Sequence, residues 1–227
     1  MLVRAKKVLT QAQVKQARDM LENAEWVDGK VTAGVQSALK KKNLQIPEDS
    51  EISLELQKII LPALAQNASF NAAALPLRVY PPLFNRYDEG MEFGAHVDNA
   101  VRFIQSANMR IRTDVSSTLF LSDPEEYEGG ELVVQDTYGK QRIKFSAGDM
   151  VIYPATSLHH VEPITRGSRW GSFFWTQSMV KDDGQRHLLY DFDANIMKAR
   201  EKLGDTHEIV VSMTSTYHNL LRRWAEL

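Results

Sequence analysis

Apolar positions recur at helical spacing early and late in the 227-residue chain and at strand spacing between, which predicts helices flanking a β-rich middle. Val14, Ala17, Met20 and Leu21 lie on one helical face behind Thr10 and Gln13, whose spacing is that of a capping box; a helix over about 10–24 is expected. A second helix, about 49–67, carries Ile52, Leu56, Ile59 and Ile60, with Pro62 expected to bend or end it. Asp28-Gly29 reads as a turn and Lys40-Lys41-Lys42-Asn43 as an exposed connection.

From Leu75 the pattern changes to short β-rich runs between turn residues. The clearest strands are 77–80, 117–121, 131–134, 142–145, 150–153 and 170–175, with turns at Gly129-Gly130, Tyr138-Gly139-Lys140 and Ala147-Gly148-Asp149. Such a series suits an α+β protein built on a double-stranded β-helix, or jelly roll, whose mouth is a natural small-molecule site. Beyond Lys181 the helical pattern resumes through Leu188, Leu189, Phe192, Ile196 and Met197, then Ile209 to Leu221, which predicts two helices split near Gly204. The expected division is a jelly-roll domain with its N-terminal helices at 1–180 and a C-terminal helical extension at 181–227, either a small appended unit or a layer on the barrel.

Composition narrows the function classes. With 43% hydrophobic and 25% charged residues the chain reads as an ordinary globular protein, and a net charge of −2 argues against nucleic-acid or membrane partners. Cysteine is absent, so any metal must sit on histidine and oxygen. The basic start lacks an apolar run after it, and the strongest apolar stretch, Ile59 to Ala65, is far short of a bilayer span; a cytoplasmic location is the default expectation.

His96-Val97-Asp98 carries the candidate chemistry. On a strand, residues two apart project to the same side, so His96 and Asp98 can reach one ion, and a histidine from a distant strand would complete the two-histidine, one-carboxylate triad typical of non-haem Fe(II) oxygenases. His159 follows the strand 150–153, and Arg169 opens the next one. With H-V-D-N-A, S-T-L-F-L-S-D-P, Y-E-G-G-E-L, A-G-D-M-V-I-Y-P, S-L-H and T-R-G-S-R-W-G-S-F-F-W, the segment from Leu75 to Ser178 resembles the Fe(II)/2-oxoglutarate-dependent dioxygenases, and within them the bacterial PKHD-type (prolyl/lysyl hydroxylase-like) enzymes. The tail looks like the C-terminal portion of that family.

The resemblance implies His96, Asp98 and His159 as iron ligands and catalytic residues, Arg169 as the cation for the far carboxylate of 2-oxoglutarate, O₂ as the second cosubstrate, and L-ascorbate as a possible reductant. Tyr87 matches a tyrosine of the prolyl hydroxylase pattern, where its hydroxyl would bond the cosubstrate; plain core packing is the alternative. Phe93 stands where that pattern has a second tyrosine, and Phe120-Leu121-Ser122 where many prolyl hydroxylases have Tyr-Leu-Asn, so proline hydroxylation is not assumed. His160 is expected to point away from the metal, and Arg166 to be a solvated charge in a turn. Residues 99–114, with Arg102, Arg110 and Arg112, read as a solvated loop; a lid whose cations suit an anionic substrate is the alternative.

The expected activity is hydroxylation of a C–H bond with release of succinate and CO₂, in a setting of iron uptake or homeostasis that the resemblance implies. Its partner would be a small-molecule or peptide substrate, and the apolar faces of the C-terminal helices could bury a homo-oligomer contact. Two rival readings remain: an iron- and 2-oxoglutarate-binding sensor without turnover, and a cupin-like metal enzyme that does not use 2-oxoglutarate, which the placement of Arg169 weakens.

Overall fold

The computed structural model describes residues 1–32, 39–136 and 139–227. Thr10 accepts from the Gln13 amide while the Gln13 side chain accepts from the Thr10 N–H, the reciprocal cap the sequence predicts, and helix α1 follows over Gln11–Glu22 with Val14, Ala17 and Leu21 buried. Helix α2 spans Glu51–Gln66 behind the Ser50 cap and buries Leu56, Ile60 and Leu64. It does not end at Pro62, because residues anchored on both sides of the proline hold the helix to the core. A further helix, α3 (Ala68–Ala74), follows the Asn67 cap; its alanine-rich run carries little periodicity, and the sequence reading missed it.

Two antiparallel sheets form the jelly roll. The larger runs Val3–Ala5, Met150–Pro154, Val115–Phe120, Arg169–Ser178, Leu83–Tyr87, Leu44–Gln45, Val27–Asp28, with Pro76–Val79 also paired to Arg169–Ser178. The smaller runs Gly139–Ile143, Leu132–Asp136, Leu158–Val161, Glu92–His96, Lys41–Lys42. Alternation along the strands sorts their side chains. Phe84, Leu119, Trp170 and Phe174 pack under α1, α2 and α3, whereas Tyr87, Phe120 and Tyr153 meet Leu132, Val134 and Val161 of the smaller sheet between the layers.

The strand expected to carry His96 is Glu92–His96, whereas Leu83–Tyr87 and Leu158–Val161 are further strands that the pattern did not single out. Residues 99–114 are not a solvated loop. They hold a hairpin, Val101–Ile104 with Met109–Arg112, pinned to the barrel wall by Ile104 and Ile111. The connection around Lys40–Asn43 is exposed only at Lys40 and Lys42: Lys41–Lys42 pairs with Glu92–His96, and Lys41 and Asn43 are each only 3% exposed. Of the expected turn Tyr138-Gly139-Lys140, Tyr138 lies outside the described residues, and Gly139 and Lys140 open a strand. At Ala147-Gly148-Asp149 the turn is as expected: Gly148 has φ +90°, and a Cβ there would meet the Leu9 carbonyl at 2.6 Å.

The tail forms two helices, α4 (Asp183–Leu203) and α5 (Glu208–Trp224), split at Gly204 as expected. Leu189 of α4 and Tyr217, Leu220, Leu221 and Trp224 of α5 pack with Leu75, Met179 and Val180 of the body. Arg186, 2% exposed, ties the junction by donating through Nη1 to the carbonyls of Val180 and Lys181 at 2.7 and 2.8 Å. Among the described residues no helix is long and apolar enough to cross a membrane.

Candidate active site

His96 and His159 face each other in register across the smaller sheet, and the strand bearing His96 ends with it. Asp98 thus lies just past the strand end rather than within it, yet both residues line one cavity. One ligand atom each from His96, Asp98 and His159 lies within 4.8 Å of the others, close enough for one metal ion to touch all three. His159 Nε2 is 3.8 Å from Asp98 Oδ2.

The histidines are oriented from behind. A backbone carbonyl can only accept, so His96 Nδ1–H donates to Gly94 O at 2.9 Å and His159 Nδ1–H to Ser157 O at 3.0 Å, which leaves both Nε2 lone pairs free for a metal. The Ser116 hydroxyl donates to Asp98 Oδ2. Burial, and next the neighbouring His159, depress the His96 imidazole to about 4, so it is neutral at physiological pH and ready to ligate. Phe93 stacks flat on His96 with ring centres 3.7 Å apart, and Tyr153 meets the His159 ring edge-on at 5.2 Å. Gly94 lets the Lys40–Lys42 segment cross the metal strand, since a Cβ there would lie 2.9 Å from that of Lys40.

Arg169 lines the same cavity and is 1% exposed. Its guanidinium lies over the rings of Tyr87 and Phe120, 5.4 Å from each centre, and its Nε and Nη1 have no hydrogen-bond partner among the described residues. Leaving charged donors buried and unbonded is costly, so this geometry calls for an anion. Tyr87, also 1% exposed, is pushed up to about 12 by burial, against the opposing charge of Arg169, and stays a neutral phenol.

The decoys separate as expected in two respects: His160 turns to Glu162, with Nε2 at 3.3 Å, and Arg166 is a surface charge paired with Glu128. Arg166 belongs to the short strand Ile164–Gly167, however, and not to a turn. Of the three hairpin arginines, Arg102 alone lines the cavity, whereas Arg112 pairs with Asp114 and Arg110 is exposed. The reading missed Lys41, Gln45, Asn85, Tyr153, Phe173 and Trp175, all of which line it. Alternation through Lys41, Asn43 and Gln45 was the available signal, obscured because the inward residues are polar.

Jelly-roll fold, triad and buried arginine define a class: the sequence profile of the 2OG-Fe(II) oxygenase superfamily matches residues 82–177, and the protein is a 2-oxoglutarate-dependent dioxygenase. Residues 183–226 match the PKHD-type hydroxylase C-terminal domain. A PKHD-type hydroxylase of Gluconobacter oxydans is 65% identical over the whole of both chains, and one of Methylobacterium nodulans 62% identical over the same span. The chain belongs to the PKHD-type hydroxylases. Among solved structures, a Pseudomonas putida prolyl-4-hydroxylase shares the fold with a TM-score of 0.53 at 18% identity, covering 78% of this chain and 92% of that one. HygX from Streptomyces hygroscopicus, crystallised with nickel and 2-oxoglutarate, does so with 0.53 at 14% identity, covering 78% and 82%.

Proposed function

We propose that the protein hydroxylates an aliphatic C–H bond of a small-molecule or peptide substrate, with iron held by His96, Asp98 and His159 and 2-oxoglutarate anchored by Arg169. The observation that carries this reading is the buried Arg169 guanidinium, whose Nε and Nη1 have no hydrogen-bond partner among the described residues, in the cavity where three ligand atoms converge. Its planar fork matches a carboxylate in a bidentate manner, which an ammonium would not. Bound there, Fe(II) and 2-oxoglutarate supply the oxidising power for C–H hydroxylation with O₂, giving succinate and CO₂. The chain's own residues place and shield. Gly94 and Ser157 carbonyls fix the imidazole tautomers, Ser116 steadies Asp98, and the Tyr87 and Phe120 rings flank the buried Arg169, where its charge is less screened than at the surface.

Tyr87 remains protonated and can donate its hydroxyl to the bound cosubstrate. Ascorbate as the reductant that keeps the iron ferrous, a cytoplasmic setting and a role in iron uptake or homeostasis complete the reading, and rest on the family resemblance. The test is incubation with Fe(II), 2-oxoglutarate, ¹⁸O₂ and a small-molecule extract: a product gaining one labelled oxygen, with one succinate per product, is expected. Tight 2-oxoglutarate binding with no succinate formed from any extract would establish the sensor instead.

A further inference from the structure

The active-site cavity has a second cationic end. Lys41 and the side chain of Arg102, 3% and 14% exposed, both line it together with His96 and Asp98. A single aromatic ring separates Lys41 from the metal site: Phe93 stacks on His96 and lies 5.2 Å below the Lys41 ammonium, with Phe173 at 5.8 Å. The Arg102 guanidinium lies 4.2 Å over Trp175 and 5.1 Å over Tyr80. Phe173 is four residues along the strand from Arg169, a separation of about 13 Å, so the two cationic ends are different places.

Three acids lie near this end. Glu48 stands 3.9 Å from Arg102, but its other oxygen accepts from the Tyr80 hydroxyl and its side chain is 41% exposed. Asp28 is a surface residue. Asp98 belongs to the metal site. Arg102 Nε is buried with no hydrogen-bond partner among the described residues, an open donor at the cavity wall.

We propose that Lys41 and Arg102 form an anion clamp which holds a carboxylate of the substrate, seated against Phe93, Phe173 and Trp175, beside the metal ligands. The proposal rests on the reading of the site as an iron and 2-oxoglutarate centre and adds the substrate class: an organic acid whose oxidised carbon lies near its carboxylate. Burial first, and next the charge of Arg102, hold Lys41 down at about 8, and an anion seated between the two side chains would favour its charged form. A carboxylate has two oxygens, one for the ammonium and one for the arginine, and the aromatic walls give an apolar body a surface to cover.

The experiment uses the full chain loaded anaerobically with Fe(II) and saturating 2-oxoglutarate, which occupies Arg169, and titrates phenylacetate and phenylacetamide by calorimetry. Phenylacetate is expected to bind at least tenfold more tightly, with an affinity that falls as salt is added. Lys41→Met is expected to lose at least tenfold in phenylacetate affinity with the amide unaffected. Equal binding of acid and amide, no binding of either at millimolar concentration, or an acid preference intact in Lys41→Met would each overturn the clamp. The wild-type comparison needs no variant to fold. Loading is measured first, so a protein that takes up neither iron nor 2-oxoglutarate removes the underlying reading and the clamp together, whereas a loaded protein blind to charge removes the clamp alone.

Discussion

Replacing Lys41 by methionine should make the resting protein more stable. Met preserves most of the apolar stem and removes an ammonium that is 3% exposed beside Arg102. A fall from the usual 10.5 to about 8 means that the folded protein disfavours the charged form; at ~1.36 kcal/mol per tenfold this is a burial cost of about 3 kcal/mol at pH 7. For a chain of this size that raises Tm by about 6–12 °C. The sign with pH follows from linkage: between pH 8 and 10.5 the unfolded chain holds a proton on this lysine that the folded chain has released, so wild type gains stability relative to the variant as pH rises. The advantage of Lys41→Met should shrink to about 2 kcal/mol at pH 9. Urea unfolding of both proteins at pH 7 and 9 measures it. A variant less stable than wild type at pH 7, or an advantage that grows with pH, would refute the reasoning.

Arg169→Gln leaves the Tyr87 and Phe120 rings without their cation and should weaken 2-oxoglutarate by roughly tenfold to a hundredfold, the worth of a charge-assisted bidentate contact, with Fe(II) affinity little changed; equilibrium dialysis reads both. His96 is depressed from 6.5 to about 4, so the metal-free protein should lose stability as pH falls through that window, and His96→Gln should flatten the dependence seen in denaturant titrations. Leu56→Ala, at a fully buried position under the larger sheet, should cost about 2–5 kcal/mol in chemical unfolding while iron uptake by the folded fraction persists.

The parts of the fold legible in the sequence are those where inward means apolar. α1 announces itself by Thr10, Gln13 and a clean stripe, and Met150–Pro154 by an unbroken apolar run. The segment through Lys41, Asn43 and Gln45 breaks that rule. It holds two short strands and the residue between them, with polar side chains at the buried positions and Lys41 and Gln45 lining the cavity, so binary patterning reads it as a surface loop. Leu83–Tyr87 alternates in the same way, with Asn85 facing the cavity and Phe84 facing the helices. The hairpin 101–112 hides for another reason: Val101 and Phe103 are exposed while Ile104 and Ile111 are buried, so its apolar residues do not mark one face. The convergence of His96, Asp98 and His159 was legible through spacing and family resemblance. Arg102 was only one of three loop cations until the hairpin turned it alone toward the cavity.

The central claim is that His96, Asp98, His159 and Arg169 together make an iron and 2-oxoglutarate site. Anaerobic titration of 2-oxoglutarate into the Fe(II)-loaded protein, followed by visible absorption, tests it most directly. The expected result is a charge-transfer band that saturates at about one 2-oxoglutarate per chain, is absent in His159→Ala and needs more 2-oxoglutarate in Arg169→Gln. No band in the wild-type protein, or a full band in His159→Ala, would contradict it.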